Sequence, residues 1–290
     1  AVSGGAPQYI ATPNGIVRPV DDGTGNIKIS VGEKTASIPV AVSGLKQPYN
    51  VSFVKDVAPA LSRLGCNSGT CHGSLDGKNG FKLSLRGYDP QFDYRALLYN
   101  LSGRRFNRAE PGKSLILAKP SQEVAHGGGQ RFAKDSSYYQ IIYNWNAQGV
   151  PFGDPGKDSV AALQVEPKEI SMAKPGGAAA VKVVARFQDG ATRDVTREAN
   201  LESNTPDVAQ VGAAGEVKGE RVGEATLLVR YQGKFSTVPV TVLNPKPGFA
   251  WKAPTQYNYI DQKIDAKLQR LKIQPSPVAD DATFLRRASL

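Results

Sequence analysis

Between Cys66 and His72 the chain spends both of its cysteines and one of its two histidines, within seven consecutive positions. This constrains the fold more than any periodicity does. Two thiols and an imidazole that serve one centre must be delivered by a short loop of fixed geometry, and the neighbouring segments must wall that centre. The run reads Leu64-Gly65-Cys66-Asn67-Ser68-Gly69-Thr70-Cys71-His72-Gly73.

The rest of the chain is long enough, at 290 residues, for two or three domains, with ordinary hydrophobic content and a net charge of +10. That composition describes a folded chain. Its charge favours anionic partners, such as an acidic redox protein, an anionic surface or a polysaccharide. No nucleic-acid motif accompanies the scattered Lys and Arg residues. No apolar run approaches the roughly 20 residues of a membrane span.

Residues 1–47 read as β. Polar and apolar residues alternate through Ile27-Lys28-Ile29-Ser30-Val31 and Ala36-Ser37-Ile38-Pro39-Val40-Ala41-Val42, punctuated by Gly15, Gly23, Gly25 and Gly32. Residues 15–42 align without gaps on 215–242, an offset of 200. Gly15, Val17, Gly23, Lys34, Pro39, Val40 and Val42 match Gly215, Val217, Gly223, Lys234, Pro239, Val240 and Val242.

The second copy is fuller. Short β-rich runs cover Leu163–Val165, Ala180–Phe187, Ala225–Tyr231 and Thr237–Val242, with Asp189-Gly190 and Gln232-Gly233 where hairpin turns belong. This predicts an antiparallel β-sandwich over 160–244. Phe187-Gln188-Asp189-Gly190-Ala191-Thr192-Arg193-Asp194-Val195-Thr196, followed by Ser203-Asn204-Thr205-Pro206-Asp207-Val208-Ala209, resembles the group-2 bacterial immunoglobulin-like domain. The resemblance implies an extracytoplasmic spacer or adhesion module. The first copy matches only the C-terminal half of that pattern, so residues 1–47 are expected to be a partial immunoglobulin-like segment.

Between the copies the period changes. Phe53, Val54, Val57, Ala60, Leu61 and Leu64 fall at helical spacing, with Pro59 suited to the first turn of a helix capped near Asp56 or Val57. A second helix is predicted after Asp135 or Ser136, with Tyr138, Ile141, Ile142 and Trp145 on one face and Gly149-Val150-Pro151 as its stop. Asp56-Val57-Ala58-Pro59-Ala60-Leu61, Glu110 through Pro120 and Trp145-Asn146-Ala147-Gln148-Gly149-Val150-Pro151 resemble the planctomycete-type cytochrome c domain, across nearly all of 50–152. The resemblance implies a small all-α domain, here 48–153, whose first and last helices cross beside a haem. Residues 245–290 hold a Pro-rich link and an amphipathic helix over Tyr257–Leu271, expected either to dock or to remain loose. They resemble the opening of the large domain that follows such cytochrome modules, so the chain is expected to be part of a longer polypeptide.

Haem attachment needs two thiols for the two vinyl groups and an imidazole beside the iron; Cys66, Cys71 and His72 supply them. The usual spacing is Cys-x-x-Cys-His. Here four residues, Asn67 to Thr70, separate the cysteines and must bulge away, with Ser68-Gly69 the natural place. Two alternatives compete. A Cys66–Cys71 disulfide suits an oxidising compartment but leaves His72 without a role. A zinc site of Cys66, Cys71, His72 and His126 has soft ligands, but adjacent Cys-His is poor spacing for it.

The opposite face of a haem would take Met or His. The one methionine, Met172, lies outside the segment, whereas His126 sits in Val124-Ala125-His126-Gly127-Gly128-Gly129, ahead of the last helix. Bis-His ligation by His72 and His126 is therefore expected, with a lower potential than His/Met and no open position for oxygen chemistry. Phe81, Leu83, Leu85, Tyr88, Leu115, Leu117 and Trp145 are candidate pocket residues. Arg104, Arg105, Arg108 and Arg131 are candidates to pair with haem propionates.

The expected architecture is a multidomain α+β chain, a small all-α cytochrome c domain beside an antiparallel immunoglobulin-like β-sandwich. The expected function is electron transfer through one covalent haem c, without enzymatic turnover, in a periplasmic or cell-surface protein whose redox partner is unknown. The alternative is a haem-free surface adhesion or polysaccharide-binding module with a structural Cys66–Cys71 disulfide.

Overall fold

The computed structural model describes residues 17–290 together with 2–3, 5–6 and 9–11. Its architecture is mixed α+β with several antiparallel sheets. Two compact units divide the chain, 1–50 and 51–290.

In the first unit, β1 (Val2–Ser3), β5 (Gly23–Val31) and β6 (Lys34–Val42) form one sheet, and β2 (Gly5–Ala6), β3 (Tyr9–Ala11) and β4 (Val17–Pro19) form another. The β5–β6 hairpin pairs Gly23 with Val42 and Val31 with Lys34. Both strands run longer than the alternating segments read from sequence. Gly15, the first residue of the proposed repeat, lies outside the described residues.

The second unit carries two cores. One is helical. A π-helical turn, Phe53–Val57, runs into α1 (Ala58–Arg63), followed by α2 (Pro90–Leu98), α3 (Leu115–Ala118) and α4 (Ser137–Ala147). Val57 is the N-cap residue of α1, with Pro59 in its first turn as expected, but a π-helical turn precedes it, and there Ser52 accepts the Lys55 N–H with its side chain. Asp56 is thereby carried inside and is buried. Ser136 caps α4, as its position before the Tyr138–Trp145 face predicts. Phe53, Val57, Leu61, Leu97, Leu117, Ile142 and Trp145 fuse these helices into one core. Trp145 is fully buried, with its indole N–H donated to the Pro151 carbonyl at 2.9 Å.

After the short helix α5 (Pro155–Asp158) comes the β core. Its strands are β7 (Val160–Glu166), β8 (Ile170–Met172), β9 (Ala178–Ala180), β10 (Lys182–Phe187), β11 (Thr192–Asp194), β12 (Asn200–Ser203), β13 (Ala209–Val211), β14 (Glu216–Gly219), β15 (Gly223–Tyr231) and β16 (Lys234–Val242). They make sheets of order β11-β10-β7, β12-β15-β16-β8 and β13-β14-β9. Inward residues Val165, Val183, Phe187, Leu227, Val229, Val238 and Val240 meet between them, the alternation a two-faced sandwich requires. Asp189-Gly190 lies in the β10–β11 turn, and Gln232-Gly233 turns β15 into β16 with both φ angles positive (45° and 71°).

The sequence repeat is visible in the ladders. In β15–β16, Gly223 pairs with Val242 and Tyr231 with Lys234, the β5–β6 register moved by 200 residues at every pair. Packing differs. Val238, Val240 and Val242 are buried, whereas Ile38 in the first hairpin is 46% exposed.

Two helices close the chain. α6 (Tyr259–Arg270) opens with a reciprocal cap between Asn258 and Asp261. Lys267 pairs with Glu224 and Arg270 with Glu169, so α6 contacts the sandwich through charges. Of the two expected outcomes, docking or remaining loose, its apolar face shows neither in full: Ile260 and Ile264 are about half exposed, while Leu268 and Leu271 are partly covered. α7 (Asp281–Ala288) has no counterpart in the sequence expectations. Among the described residues, no helix is long and apolar enough to cross a membrane.

Candidate haem-binding cavity

Helix α1 ends so as to present Cys66. Gly65 takes φ 73°, its N–H donating to the Ser62 carbonyl (3.1 Å) while the Cys66 N–H donates to the Leu61 carbonyl (2.9 Å). This is the two-bond C-cap for which glycine suits best, because a side chain is strained at that φ.

The four residues between the cysteines are folded, not slack. The Ser68 carbonyl accepts the N–H groups of Cys71 and Gly73, and the Cys66 carbonyl accepts that of His72, each at 3.0 Å. Asn67 does not bulge outward with the others. It is buried, donates its side-chain amide to Ser62 Oγ at 2.8 Å, and receives the Arg86 N–H on its carbonyl at 2.9 Å. Gly69 and Thr70 form the exposed tip. The extra length is absorbed by anchoring its first residue and extruding its last two.

His72 is fixed from behind. Its Nδ1 lies 3.0 Å from the Phe81 carbonyl, and its own carbonyl accepts the Leu83 N–H at 2.7 Å. A carbonyl only accepts, so Nδ1 carries the proton and Nε2 keeps its lone pair. Burial lowers the His72 pKa, as do the charges of Arg105 and Arg131, although the Phe81 carbonyl opposes them; the ring is held neutral. His126 repeats the pattern, with Nδ1 2.8 Å from the Gly129 carbonyl. A Cβ on Gly128 would stand 2.8 Å from His126 Cε1, so glycine there makes room for the ring.

These pieces line one cavity of about 740 Å³. Cys66, Cys71, His72 and His126 all reach it, with Leu61, Phe81, Leu83, Leu97, Ile116, Phe132 and Ile142 as apolar wall. The two imidazoles are near-parallel, 6.5 Å between centroids and 16° between planes. Both cysteines are free thiols. Cys66 keeps some accessible surface, yet burial pushes its thiol up to about 12, partly offset by the Arg131 charge. Arg131 Nη2 lies 3.6 Å from Cys71 Sγ.

The charge on the wall is one-sided. Lys78, Arg104, Arg105, Lys119 and Arg131 line the cavity and no Asp or Glu does. Arg105 is buried, stacks 4.1 Å over the Phe81 ring and gives Nη1 to the carbonyls of Ala96 and Asn100. It has no carboxylate partner among the described residues, and burial, then the neighbouring Arg104, lowers its pKa. Behind the wall, the buried carboxyl of Asp93 accepts both the N–H and the hydroxyl of Ser84. Burial pushes Asp93 up to about 6.

Of the expected pocket residues, Phe81, Leu83 and Leu115 line the cavity. Leu117 and Trp145 belong to the core behind it, and Leu85 and Tyr88 are exposed. Arg108 does not line it, unlike the other three candidate arginines. Sequence reasoning missed Leu61 and Ile142 as wall residues, although both stand on helix faces it had recognised. It missed Lys78, Lys119 and Asp93 entirely, because nothing local marks them.

Comparison with known proteins adds a partial identification. A family model, Big-like: Bacterial Ig-like domain, matches residues 9–44. No curated protein matches the chain. Among solved structures, the S-layer protein rSbsC(31-844) aligns at 16% identity and a TM-score of 0.27, covering 82% of this chain and 19% of that one. Domains 4 and 5 of S-layer protein SbsC align at 15% identity and a TM-score of 0.26, covering 81% of this chain and 66% of theirs. The chain thus spans about a fifth of the larger S-layer chain, and at these scores the likeness carries no functional argument.

Proposed function

We propose that residues 48–153 form a monohaem c-type cytochrome module that carries electrons in an extracytoplasmic protein. The observation that carries this reading is the pair His72 and His126, two near-parallel imidazoles lining one cavity with centroids 6.5 Å apart. An imidazole nitrogen binds a metal such as zinc at about 2.0–2.1 Å and lies about 1.1 Å from its ring centre, so two rings on opposite sides of one ion have centroids about 6.3 Å apart. The rings here are 6.5 Å apart and near-parallel, each with Nδ1 already bonded to a carbonyl and Nε2 left for the metal. That outer hydrogen bond is the usual support of a ligating histidine.

The rest of the cavity suits the same group. Its volume lies within the usual range for cofactor sites. Cys66 and Cys71 supply two thiols on the His72 side, where each S–H can add across one vinyl group without an external oxidant. Arg105, buried without a counter-ion, suits a haem propionate, since an unpaired buried charge is costly and a carboxylate relieves it. The haem, when bound, supplies one-electron chemistry. The protein's part would be to hold that group with His72 and His126, exclude water and balance its carboxylates with Arg105.

The donor arrangement does not favour zinc. Among the described residues, no three His, Cys, Asp or Glu side chains converge as a metal set. The haem-free surface module is the second reading: the bacterial Ig-like match favours it as a surface module, while for the haem reading that match bears only on location. In that alternative Cys66 and Cys71 would form a structural disulfide.

The test is a spectrum of protein made with the cytochrome c maturation machinery. A reduced α-band that persists after acid-acetone extraction is the expected result. A colourless protein with a Cys66–Cys71 bridge under the same conditions overturns the proposal in favour of the alternative.

A further inference from the structure

Helix α1 and helix α4 bracket the cavity with Leu61 and Ile142, and both are tied to the β-sandwich. The ties are polar and specific. Arg193, on β11, gives Nη1 to Asp56 Oδ1 (2.8 Å) and Nη2 to the Lys55 carbonyl (2.9 Å), Glu198 Oε2 (2.9 Å) and Tyr231 Oη (2.7 Å). Beside it, Gln232 Nε2 donates to the Val54 carbonyl at 2.9 Å. These bonds hold the start of the helical path that leads to Cys66.

The other end is held as well. Arg63, in the last turn of α1, donates through Nε to the Arg197 carbonyl (3.1 Å) and through Nη2 to that of Ala213 (3.2 Å). The same Arg197 carbonyl accepts the hydroxyl of Tyr138, on α4, at 3.1 Å. One backbone oxygen of the sandwich therefore bridges the helix that delivers Cys66 and the helix on the cavity's far wall.

The chemistry at Arg193 makes this a clamp, not a passing contact. The Asp56 side chain is only 4% exposed and its other oxygen accepts the Ser52 N–H. Burial opposes charge on both Arg193 and Glu198. The surrounding Tyr231, Glu198 and Asp56 outweigh it at Arg193, whose pKa is raised, while Glu198 is left raised despite Arg193. Asp56 and Tyr231 are buried and Arg193 and Glu198 half-buried, and Arg193 bonds to all three of the others.

We infer that the sandwich is a working part of the haem site, with Arg193 and Arg63 as positioning residues that fix α1 against α4 and so fix the angle between His72 and His126. The inference rests on the proposed haem reading for its spectroscopic half only. Its mechanical half concerns this chain's own domains and stands without the cofactor.

The test compares Arg193→Gln with Arg230→Gln in the full chain. Arg230 is more buried, its side chain 10% exposed against 26% for Arg193, but its ion pair, with Glu202, stays inside the sandwich. Calorimetry of each protein should show the helical core and the sandwich of residues 51–290 melting in one transition in wild type and R230Q and in two in R193Q. The electron paramagnetic resonance g-values of the low-spin ferric protein, which report the angle between the imidazole planes, should shift in R193Q and not in R230Q. If R193Q does not fold, Arg63→Gln, at a more exposed contact, carries the same comparison. A single transition with unshifted g-values in the folded variant overturns the inference, and so does an equal shift in R230Q. Split transitions in R193Q alone, in protein that binds no haem, would support the clamp while sinking the haem reading.

Discussion

The imidazoles of His72 and His126 stand 6.5 Å apart, with ring planes 16° from parallel. The two residues are 54 positions apart in sequence, one on the cysteine loop and one on a glycine-rich turn. With both Nδ1 atoms donated to carbonyls, each ring presents a single remaining nitrogen. His126→Ala should convert a low-spin spectrum to a high-spin one, read by visible absorption, while the covalent α-band survives denaturation. His126→Met should raise the potential by on the order of 0.1 V, within the roughly 0.8 V range that axial ligands command. An unchanged spectrum in either variant removes His126 from the ligand set.

Gly128→Ala separates crowding of that ring from loss of fold. The added Cβ would meet His126 Cε1 at 2.8 Å and Nε2 at 3.2 Å. The ring must shift, at a cost of about 1–3 kcal/mol for an overpacked contact. The expected outcome is a mixed-spin spectrum with near-normal helix content by circular dichroism.

Arg105→Gln removes a buried cation from the cavity wall. Positive charge beside the iron favours the reduced form, so its loss should lower the midpoint potential. A tenfold change in the equilibrium, about 59 mV for one electron, is the expected order. Arg108→Gln, at a position off the cavity wall, should leave the potential where it is.

Asp93 gives a pH dependence with a definite sign. Its carboxyl rises from 3.8 to about 6 on folding because it is buried. Between those values the folded chain keeps a proton that the unfolded chain has released, so this group's contribution falls as pH rises. At about 1.4 kcal/mol per unit, the window is worth on the order of 3 kcal/mol. The contribution is fully present below the unfolded value and lost above about pH 6. Asp93→Asn should abolish that component: the stability difference between variant and wild type, from urea titrations, should grow in the variant's favour between pH 4 and 6. A constant difference across the window would show that Asp93 does not titrate there.

What the sequence disclosed and withheld follows from the range of the interactions. The Cys66–His72 loop, the Ser136 cap and the Gln232-Gly233 turn are local, and local chemistry writes them into adjacent residues. The repeat was legible because glycine spacing and strand alternation fix register within a hairpin. Arg193 was not legible as a partner of Asp56, because 137 positions separate them and neither stands in an unusual local pattern. Arg105 looked like one surface arginine among four; only burial against Phe81 sets it apart. Asn67 was expected to swing outward with its loop, and its anchor on Ser62 depended on where α1 ends.

The paired hairpins carry a last consequence. β5–β6 and β15–β16 share every rung of their ladders, yet one buries its inward face in a sandwich core and the other leaves most described side chains in solvent. The same register thus stands in two different packing environments, and residues 23–42 transplanted onto 223–242 should keep the backbone rungs while losing the sandwich's apolar contacts. Shape and stability are encoded separately in these twenty-residue pieces, which lets the same strand pair serve in surroundings that make opposite demands on its side chains.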